Sequence, residues 1–431
     1  MSVRWKLGVV AAVCAGGIFM ESARGQAAPS KKAADAASQL TDTPVAPPNT
    51  EAVRLAGIAK DNSRHFGDDP DNPGPLATDL SPAIVPSAVG AAMRKVADWQ
   101  LARSQPYFGV NDHKLLDGRI WTWSVLYSGF MAASASLGEG RYRDAMEEMG
   151  KAYHWELRSK LPSADDQSVA QTYLELYLLD RQPEMIAPTQ TALDAVLAAP
   201  RVELGSNQKI AWWWCDALFM GPPVWARMYA ATGEKKYITY LDQEWAKTSQ
   251  LLYDPAAHLY SRDATFIPKT EKNGQKMFWS RGEGWVMGGL ARTLEYLPKD
   301  DPARTKYETQ LKEMAAAVAK LQGPDGLWHA GMLDPKDYDQ PEISGSALMT
   351  FGMAWGVNEG ILDRKVYTPV IAKAWAGLLK HVYMDGRLGD IQQTGAEPAA
   401  FKPSASYTYG VGGFLLAGSE IRRMAEVKRG K

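Results

Sequence analysis

The sequence predicts an all-α fold, an (α/α)6 barrel of six inner and six outer helices. From about residue 85 onward the apolar residues recur at α-helical spacing, and alternating strand patterns are scarce. Amphipathic helices alternate with helices that are apolar all round and rich in Gly, Ala, Trp and Met. Apolar helices belong inside and amphipathic ones outside, so the alternation predicts two concentric layers. An open α-solenoid is the alternative, but it gives no reason for the small residues on one set of helices.

The outer and inner helices differ in composition. A tyrosine stands early in each of the amphipathic outer segments "GRYRDAMEEMGKAY", "KKYITYLDQEWAKT", "TKYETQLKEMAAAV" and "KVYTPVIAKAW". Inner segments read "WTWSVLYSGFMAASAS", "GEGWVMGGLARTLEYL", "GSALMTFGMAWGVNEGIL" and "GVGGFLLAGSEI". The apolar spacing predicts helices over 86–102, 119–136, 140–159, 167–180, 184–200, 212–231, 235–250, 284–296, 302–321, 345–361, 363–380 and 410–426.

The N-terminus has the features of a secretory signal peptide. Arg4 and Lys6 precede an apolar run from Leu7 to Met20, and small residues follow up to Ala27. The run is about 14 residues long, short of the roughly 20 that cross a bilayer. We expect cleavage after Ala27 and a mature protein in the periplasm or outside the cell.

Three parts of the chain are therefore predicted. Residues 1–27 form the signal peptide, and residues 28–84, rich in Ala, Pro, Asp and Ser, form a linker and ill-ordered lead-in. Residues 85–431 form the barrel domain. The sequence leaves the oligomeric state open.

Composition argues against several other functions. The 48 basic residues are balanced by 49 acidic ones, so no positive surplus attracts nucleic acid. No segment of the mature chain is long and uncharged enough to span a membrane. Cys14 leaves with the signal peptide, so Cys215 has no partner for an internal disulfide. The six histidines show no ligand spacing, and we expect neither a catalytic metal nor a cofactor.

The candidate site lies where the loops leading into the inner helices converge at one end of the barrel. These loops carry acids, an arginine, hydroxyls and aromatic rings. Aromatic faces cover the apolar faces of sugars, and an arginine fork matches a carboxylate, so the set suits an acidic sugar. The residues are Trp121, Trp123, Asp165, Asp166, Asp216, Trp279, Arg281, Glu283, Trp285, Ser344, Ser346, Tyr407 and Tyr409.

Asp216 has the most unusual surroundings of these candidates. On a helix, Trp212 and Trp213 would lie one turn before it and Phe219 one turn after, so its own face would be apolar. Desolvation raises the pKa of a carboxyl group, which would suit Asp216 to hold and deliver a proton. A helix cap is the alternative, because the sequence Gly-Pro-Pro at 221–223 indicates a break in the helix.

The other candidates also have structural interpretations. Asp165 or Asp166 could cap the helix that opens at Gln167. Arg281 could stack on Trp285, four residues further along one helical face. The tryptophans could all belong to the core.

Four segments carry a resemblance to a known family. They are "WWWCDALFMGPPVWARMYAATG", "FWSRGEGWVMGGLARTLEYLP", "ISGSALMTFGMAWGVNEGIL" and "YGVGGFLLAGSEI", and they occur in the family's order. Over about residues 90 to 428 the chain resembles glycoside hydrolase family 105, the unsaturated rhamnogalacturonyl hydrolases, which are related to the unsaturated glucuronyl hydrolases of family 88. The resemblance implies the (α/α)6 barrel.

The resemblance also implies roles for individual residues. Asp216 would be the general acid and base, and Asp166, rather than Asp165, the supporting acid. Arg281 and Trp285 would hold the uronate, while Arg262 stands where some members carry a histidine. The predicted substrate-binding set is Asp165, Arg281, Trp285, Trp279, Trp213, Arg262, Trp123, Ser344 and Tyr409.

The implied substrate is an oligosaccharide ending in a 4,5-unsaturated uronic acid, as polysaccharide lyases leave it. Its double bond is an enol ether, so one carboxyl group can protonate C4 and then activate the water that attacks C5. The expected enzyme is a hydrolase of unsaturated rhamnogalacturonan fragments from pectin. The alternatives are an unsaturated glucuronyl hydrolase acting on another polysaccharide's fragments, and a catalytically silent carbohydrate-binding barrel.

Overall fold

The computed structural model describes residues 67–109, 111–112, 116–198 and 210–427. Fourteen α-helices lie in these ranges, with two antiparallel hairpins of two-residue strands, Asn111–Asp112 (β1) with Leu116–Asp117 (β2) and Tyr253–Asp254 (β3) with Leu259–Tyr260 (β4). The helices are α1 Pro86–Ser104, α2 Trp121–Leu137, α3 Gly140–Ala152, α4 Ala164–Gln167, α5 Ala170–Asp180, α6 Pro183–Ala198, α7 Ala217–Met220, α8 Pro222–Thr232, α9 Lys235–Leu252, α10 Ser280–Leu294, α11 Arg304–Lys320, α12 Ile343–Asn358, α13 Arg364–Leu378 and α14 Thr408–Val427.

The inner helices form a closed ring. Helices α2, α5, α8, α10, α12 and α14 each contact the next, and α14 contacts α2. Helices α1, α3, α6, α9, α11 and α13 pack outside them, each against an inner neighbour. The ring confirms the predicted (α/α)6 barrel and contradicts the open solenoid, which has no contact between its first and last helices.

Small residues let the inner helices approach closely. A Cβ added to Gly129 on α2 would lie 2.8 Å from the Cα of Gly412 on α14. One added to Gly345 on α12 would lie 2.6 Å from the carbonyl carbon of Ser280. Only glycine permits contacts of this kind, which explains why the inner helices are rich in it.

The predicted helix over 212–231 is wrong in its first part. Residues 212–216 are not helical, and two helices, α7 and α8, which are separated at Gly221, replace the single predicted helix. Pro222 and Pro223 open α8, because a proline at the start of a helix loses no hydrogen bond there. Asp216 therefore stands in a turn before α7, and its side chain caps no helix. Its apolar helical face, as predicted from spacing, does not exist.

Other helix boundaries differ because of local geometry. The predicted helix over 140–159 ends at Ala152, where His154 and Trp155 take left-handed backbone angles and turn the chain back. The prediction over 167–180 divides into the short α4 and the longer α5. The prediction over 184–200 ends in residues 199–200, which lie outside the described residues.

The described part of the lead-in is attached to the barrel domain. Asp68 is buried, bridges Ser406 through its backbone, and pairs its carboxylate with Arg387 and with Arg103. This differs from the expected ill-ordered segment, because a buried carboxylate is held by two guanidinium groups. Residues 1–27 and 28–66 lie outside the described residues. No described helix is both long and apolar enough to cross a membrane.

Candidate active site

Backbone pairing fixes the surroundings of Asp216. Trp214 forms a bridge with Asp263, and the Cys215 amide donates to the Arg262 carbonyl over 2.8 Å. These two bonds place the turn before α7 beside the loop that follows β4. Asp216 and Arg262 therefore lie side by side, although 46 positions separate them in the sequence.

Arg262 contacts Asp216 through an unsatisfied nitrogen. Its Nε lies 3.4 Å from Asp216 Oδ2, and this Nε is buried without a hydrogen-bond partner. Its Nη1 donates to Asp263 Oδ2 over 2.7 Å, and its guanidinium carbon lies 5.7 Å from the ring centre of Trp213. Burial alone would lower the pKa of Arg262, but Asp216 and Asp263 outweigh burial and raise it. The guanidinium is charged and only partly neutralised by hydrogen bonds.

The Asp216 carboxylate is neither fully buried nor bound to a helix end. Its side chain is 14% exposed, and that of Arg262 is 21% exposed, so solvent-sized partners can reach both. The Cys215 thiol is buried and donates weakly to Asp216 Oδ2 over 3.6 Å. Burial and the neighbouring Asp216 raise the pKa of this thiol well above its usual range. Cys215 is therefore a neutral donor.

The adjacent carboxylates of Asp165 and Asp166 have different surroundings. Asp166 closes a capping box with Ser163: its amide donates to the Ser163 hydroxyl, and its carboxylate accepts from the Ser163 amide. Arg158 lies 3.5 Å from the same carboxylate. The structure thus gives Asp166 a structural position, in contrast to the supporting acid that the resemblance implied.

Asp165 is electrostatically coupled to Asp216. Part of Asp165 reaches solvent, yet burial of its carboxyl group raises its pKa to about 7, and the charges of Asp166 and Asp216 add to the effect. Arg262 opposes this shift. The neighbouring negative charges disfavour the ionised form of Asp165, so this carboxyl group binds a proton more readily than a free aspartic acid does.

Two of the three nitrogens of the Arg281 guanidinium donate to backbone carbonyls, and its Nε is buried without a hydrogen-bond partner. Arg281 is 1% exposed, its Nη1 donates to the Gln392 carbonyl over 2.6 Å, and its Nη2 donates to the Gln393 carbonyl over 2.8 Å. The guanidinium also stacks on Trp279, 4.2 Å from the ring centre. The two terminal nitrogens that were expected to bind a uronate are bound to the carbonyls of Gln392 and Gln393 in this structure, and the predicted role of Arg281 in substrate binding stays a prediction.

Trp279, Ser344 and Tyr409, which were also predicted to bind substrate, contact the segment around Gln392 directly or through Glu342. Trp279 donates from Nε1 to the Gln392 side chain over 2.8 Å, and the Tyr409 hydroxyl donates to the Gln392 carbonyl. Ser344 donates to Glu342, which also accepts from the Gln392 amide over 3.1 Å. The polar atoms that were expected to bind sugar at Trp279, Ser344 and Tyr409 are thus bound to protein. Glu342 was missed, although a residue that accepts amide protons just before α12 is typical of a helix start.

The aromatic residues divide into core and site. Trp123 is fully buried against Tyr107 and Tyr127, which places it in the core of this structure, and its predicted contact with substrate stays a prediction. Trp121, two residues earlier, is only partly buried. Trp213 is also partly buried and lies beside Arg262.

Trp285 lies beneath Trp121. Its ring is fully buried, 5.9 Å from the Trp121 ring and 5.0 Å from that of Phe219. Trp285 therefore supports the aromatic surface from below, and Trp121 and Trp213 present the accessible rings. Within the described ranges, no group of three or more His, Cys, Asp or Glu side chains could hold a metal ion.

A partly exposed carboxylate beside a second carboxyl group of raised pKa, an arginine and two tryptophans, at one end of an (α/α)6 barrel, is typical of a carbohydrate-processing site. Comparison with known proteins agrees, and the chain is a glycoside hydrolase. Residues 92–425 match the model of Glycosyl Hydrolase Family 88, so the chain belongs to this family.

Two curated relatives and one solved structure cover most of the chain. An Unsaturated 3S-rhamnoglycuronyl hydrolase from Formosa agariphila is 38% identical over 355 residues, 79% of this chain and 92% of its own. A protein of the same name from Alteromonas sp. is 31% identical over 372 residues, 80% of this chain and 89% of its own. A solved Glycosyl hydrolase family 88 protein from Bacteroides vulgatus has a TM-score of 0.70 and 29% identity, covering 79% of this chain and 99% of its own.

Proposed function

We propose that this enzyme removes a 4,5-unsaturated uronic acid from the non-reducing end of lyase-generated oligosaccharides. The observation that carries the proposal is the Asp216 carboxylate: it is accessible, caps no helix, and shares its surroundings with Asp165 and Arg262. A structural carboxylate would be bound by backbone amides or fully paired, as Asp166 is. The names of the two curated relatives support the same substrate class.

The chemistry needs one acting carboxyl group and a store for its proton. Asp216 donates a proton to C4, the double-bond electrons form the new C–H bond, and the positive charge develops on C5 and the ring oxygen. Water adds to C5 and returns a proton to Asp216. The resulting hemiketal opens, and the hemiacetal left at C1 collapses and releases the next sugar. No displacement takes place at the anomeric carbon, so the spacing rule for two-carboxylate glycosidases does not apply.

Asp165 is the supporting acid in this mechanism. Its pKa of about 7 lets it hold a proton near neutral pH and pass it to Asp216. Trp121 and Trp213 offer their partly exposed rings to the apolar faces of the sugars.

We further propose that the sugar released is rhamnose or a substituted rhamnose. The names of the two relatives that cover about four fifths of this chain contain rhamnose and the designation 3S. Unsaturated rhamnogalacturonan fragments remain the expected source, which would place the enzyme in pectin degradation. The N-terminal sequence supports a location in the periplasm or outside the cell, and sequencing of the mature N-terminus after secretion checks the expected start after Ala27.

A substrate panel tests the proposal. The panel holds unsaturated uronyl rhamnose with and without a 3-sulfate, unsaturated rhamnogalacturonan disaccharide, and unsaturated disaccharides from animal glycans. We expect the ultraviolet absorbance of the alkene to fall together with release of rhamnose. Faster turnover of the animal glycan fragments would make the enzyme an unsaturated glucuronyl hydrolase. Binding without turnover of any member would identify a silent carbohydrate-binding barrel.

A further inference from the structure

One buried donor beside Asp216 has no hydrogen-bond partner. The Nε of Arg262 lies 3.4 Å from Asp216 Oδ2, but its geometry satisfies no hydrogen bond to that oxygen or to another acceptor. A buried N–H without a partner costs on the order of 1 to 3 kcal/mol, so such a group is usually retained for a reason. A ligand acceptor placed at this nitrogen would remove that cost.

The rest of the Arg262 side chain is anchored independently of Asp216. Asp263 accepts from Nη1, and Asp263 is itself held by the amide and hydroxyl of Thr265 over 2.8 and 2.6 Å. Trp213 lies alongside the guanidinium plane. Arg262 can therefore lose its contact with Asp216 and keep its position.

The uronate carboxylate of the substrate needs a cationic partner, and the partner that the sequence predicted is Arg281. The fork of Arg281 is filled by the carbonyls of Gln392 and Gln393. The carboxylate of an unsaturated uronyl group is attached to C5, next to the C4 atom that Asp216 protonates. A cation that binds this carboxylate within 4 Å of Asp216 brings C4 to the proton donor, and Arg262 has that position.

On the basis of the proposed function, we propose that Arg262 binds the uronate carboxylate of the substrate and thereby gives up its charge contact with Asp216, which frees Asp216 to act as the proton donor. Before the substrate binds, Arg262 Nε lies 3.4 Å from Asp216 Oδ2. The substrate carboxylate replaces Asp216 at the guanidinium. A carboxyl group that loses its counter-charge favours its protonated form, which is the form that can donate to C4.

The protons balance through one cycle. The Asp165 carboxyl group passes its proton to the Asp216 carboxylate, and Asp216 passes it to C4. Water then adds to C5 and gives one proton to Asp216, which restores the single proton of the pair. One water is consumed, and neither carboxyl group is changed.

Other charged groups near the pair determine the pH dependence. Asp216 faces Cys215, Asp165 and Arg262; Asp166 and Arg158 act on Asp165, and Glu283 and Asp263 lie next to Cys215 and Arg262. The pKa of Asp165 is raised to about 7, so the stored proton is present below that pH and is lost as the pH rises through it. Arg262 lowers the pKa of Asp165, so removal of Arg262 moves this loss to higher pH.

The test compares the natural acid with its uronate methyl ester in wild type and in Arg262→Gln. The ester keeps the double bond and removes the negative charge, and taking the acid-to-ester ratio of kcat/KM within each enzyme removes the ester's own effect on the alkene. We expect Arg262→Gln to lower the acid-to-ester ratio of kcat/KM by about 10- to 100-fold, as for a lost charge-assisted contact. The basic limb of the pH profile should move upward.

Two further variants, Arg262→Lys and Arg281→Lys, are compared with Arg262→Gln in the same assay. Lysine at 262 keeps the charge but cannot bind Asp263 and a carboxylate as a planar fork, so the acid-to-ester ratio should fall part of the way. Arg262→Lys also replaces Arg262→Gln in the test if circular dichroism shows that Arg262→Gln does not fold. Arg281→Lys should lower activity on acid and ester alike, because it disturbs the loop at Gln392. An acid-to-ester ratio that no change at Arg262 alters would overturn the inference and leave the proposed function intact. Inactivity of the wild type on every unsaturated substrate would instead contradict the function itself.

Discussion

Two groups of acids and arginines occupy different levels of the barrel and differ in how completely they are paired. The closed cluster consists of Glu175, Arg227 and Arg292, on α5, α8 and α10. Arg227 is fully buried and donates to Glu175 over 2.6 Å and to two backbone carbonyls, and Arg292 donates to Glu175 over 2.6 Å. Burial would raise the pKa of Glu175, but the two arginines outweigh it and lower the pKa.

The open cluster consists of Asp165, Asp216, Arg262 and Asp263, on the segments that precede α5 and α8 and on the loop after β4. Its arginine keeps an unpaired Nε, its Asp216 is partly exposed, and its Asp165 has a raised pKa. The same residue types thus give a structural ion cluster where every group is satisfied, and a reactive site where charge and proton remain available. Completeness of pairing, rather than residue type, distinguishes the two.

The largest expected effect is on the open cluster. Asp216→Asn should fold normally and lose about 10²- to 10⁴-fold in kcat, because the amide keeps the shape but cannot transfer a proton. Steady-state kinetics on the unsaturated disaccharide measure the loss. Asp180→Asn, the same change at an exposed position, is the control and should act as wild type. More than a tenth of wild-type turnover in Asp216→Asn would show that Asp216 is structural.

The closed cluster should respond in stability. Glu175→Gln removes the carboxylate that pairs with both buried guanidinium groups and leaves Glu295, 3.3 Å from Arg227, as the remaining counter-charge, so we expect the free energy of unfolding to fall by about 3 to 5 kcal/mol. Urea unfolding measures this, with Glu147→Gln as control, since Glu147 forms an exposed pair with Lys151 and should cost only about 0.5 kcal/mol. The folded fraction of Glu175→Gln should keep the wild-type pH profile. Wild-type stability in this variant would remove the distinction between the clusters.

A smaller effect separates the two neighbouring aspartates. Asp165→Asn removes the proton store and should lower kcat on the order of tenfold to a hundredfold, less than loss of the proton donor itself. It should also abolish the basic limb near pH 7, where the pKa of Asp165 lies. Kinetics from pH 5 to 9 test this expectation. A basic limb that persists in Asp165→Asn would assign the titration to another group.

The smallest effect belongs to Asp166. Asp166→Asn should cost about 1 kcal/mol of stability through the weakened cap and leave kcat near wild type. Because the charge of Asp166 helps to raise the pKa of Asp165, its removal should move the basic limb to slightly lower pH. A greater loss of activity in Asp166→Asn than in Asp165→Asn would restore Asp166 as the supporting acid.

The fold was predictable because it depends on a local property. Helical spacing and the alternation of apolar and amphipathic segments are visible in every stretch of about 20 residues, and the ring of inner helices follows from them. The predicted start of the helix at residue 212 was wrong, because residues 212–216 are not helical and Pro222 and Pro223 begin a new helix. Periodicity alone does not show where a prolyl pair divides a helix.

The site was predictable only in part because its roles depend on distant contacts. Arg281 was placed correctly at an inner helix start, but its partners are carbonyls more than a hundred residues away. Asp165 and Asp166 are chemically identical in the sequence, and only the cap at Ser163 separates them. Trp121 and Trp123 stand two positions apart, which places them on different sides of the helix.

The most direct test of the account is where solvent atoms enter the product. The wild-type enzyme is incubated briefly in heavy water, and separately in ¹⁸O-labelled water, and the uronate product is examined early by mass spectrometry and NMR. Product placed alone in each labelled solvent controls for exchange through the open keto form. The account predicts one deuterium at C4 and the solvent oxygen first at C5, with alkene absorbance lost in step with release of the sugar. Solvent oxygen at C1, unlabelled C4 and intact absorbance would contradict protonation of the alkene by Asp216.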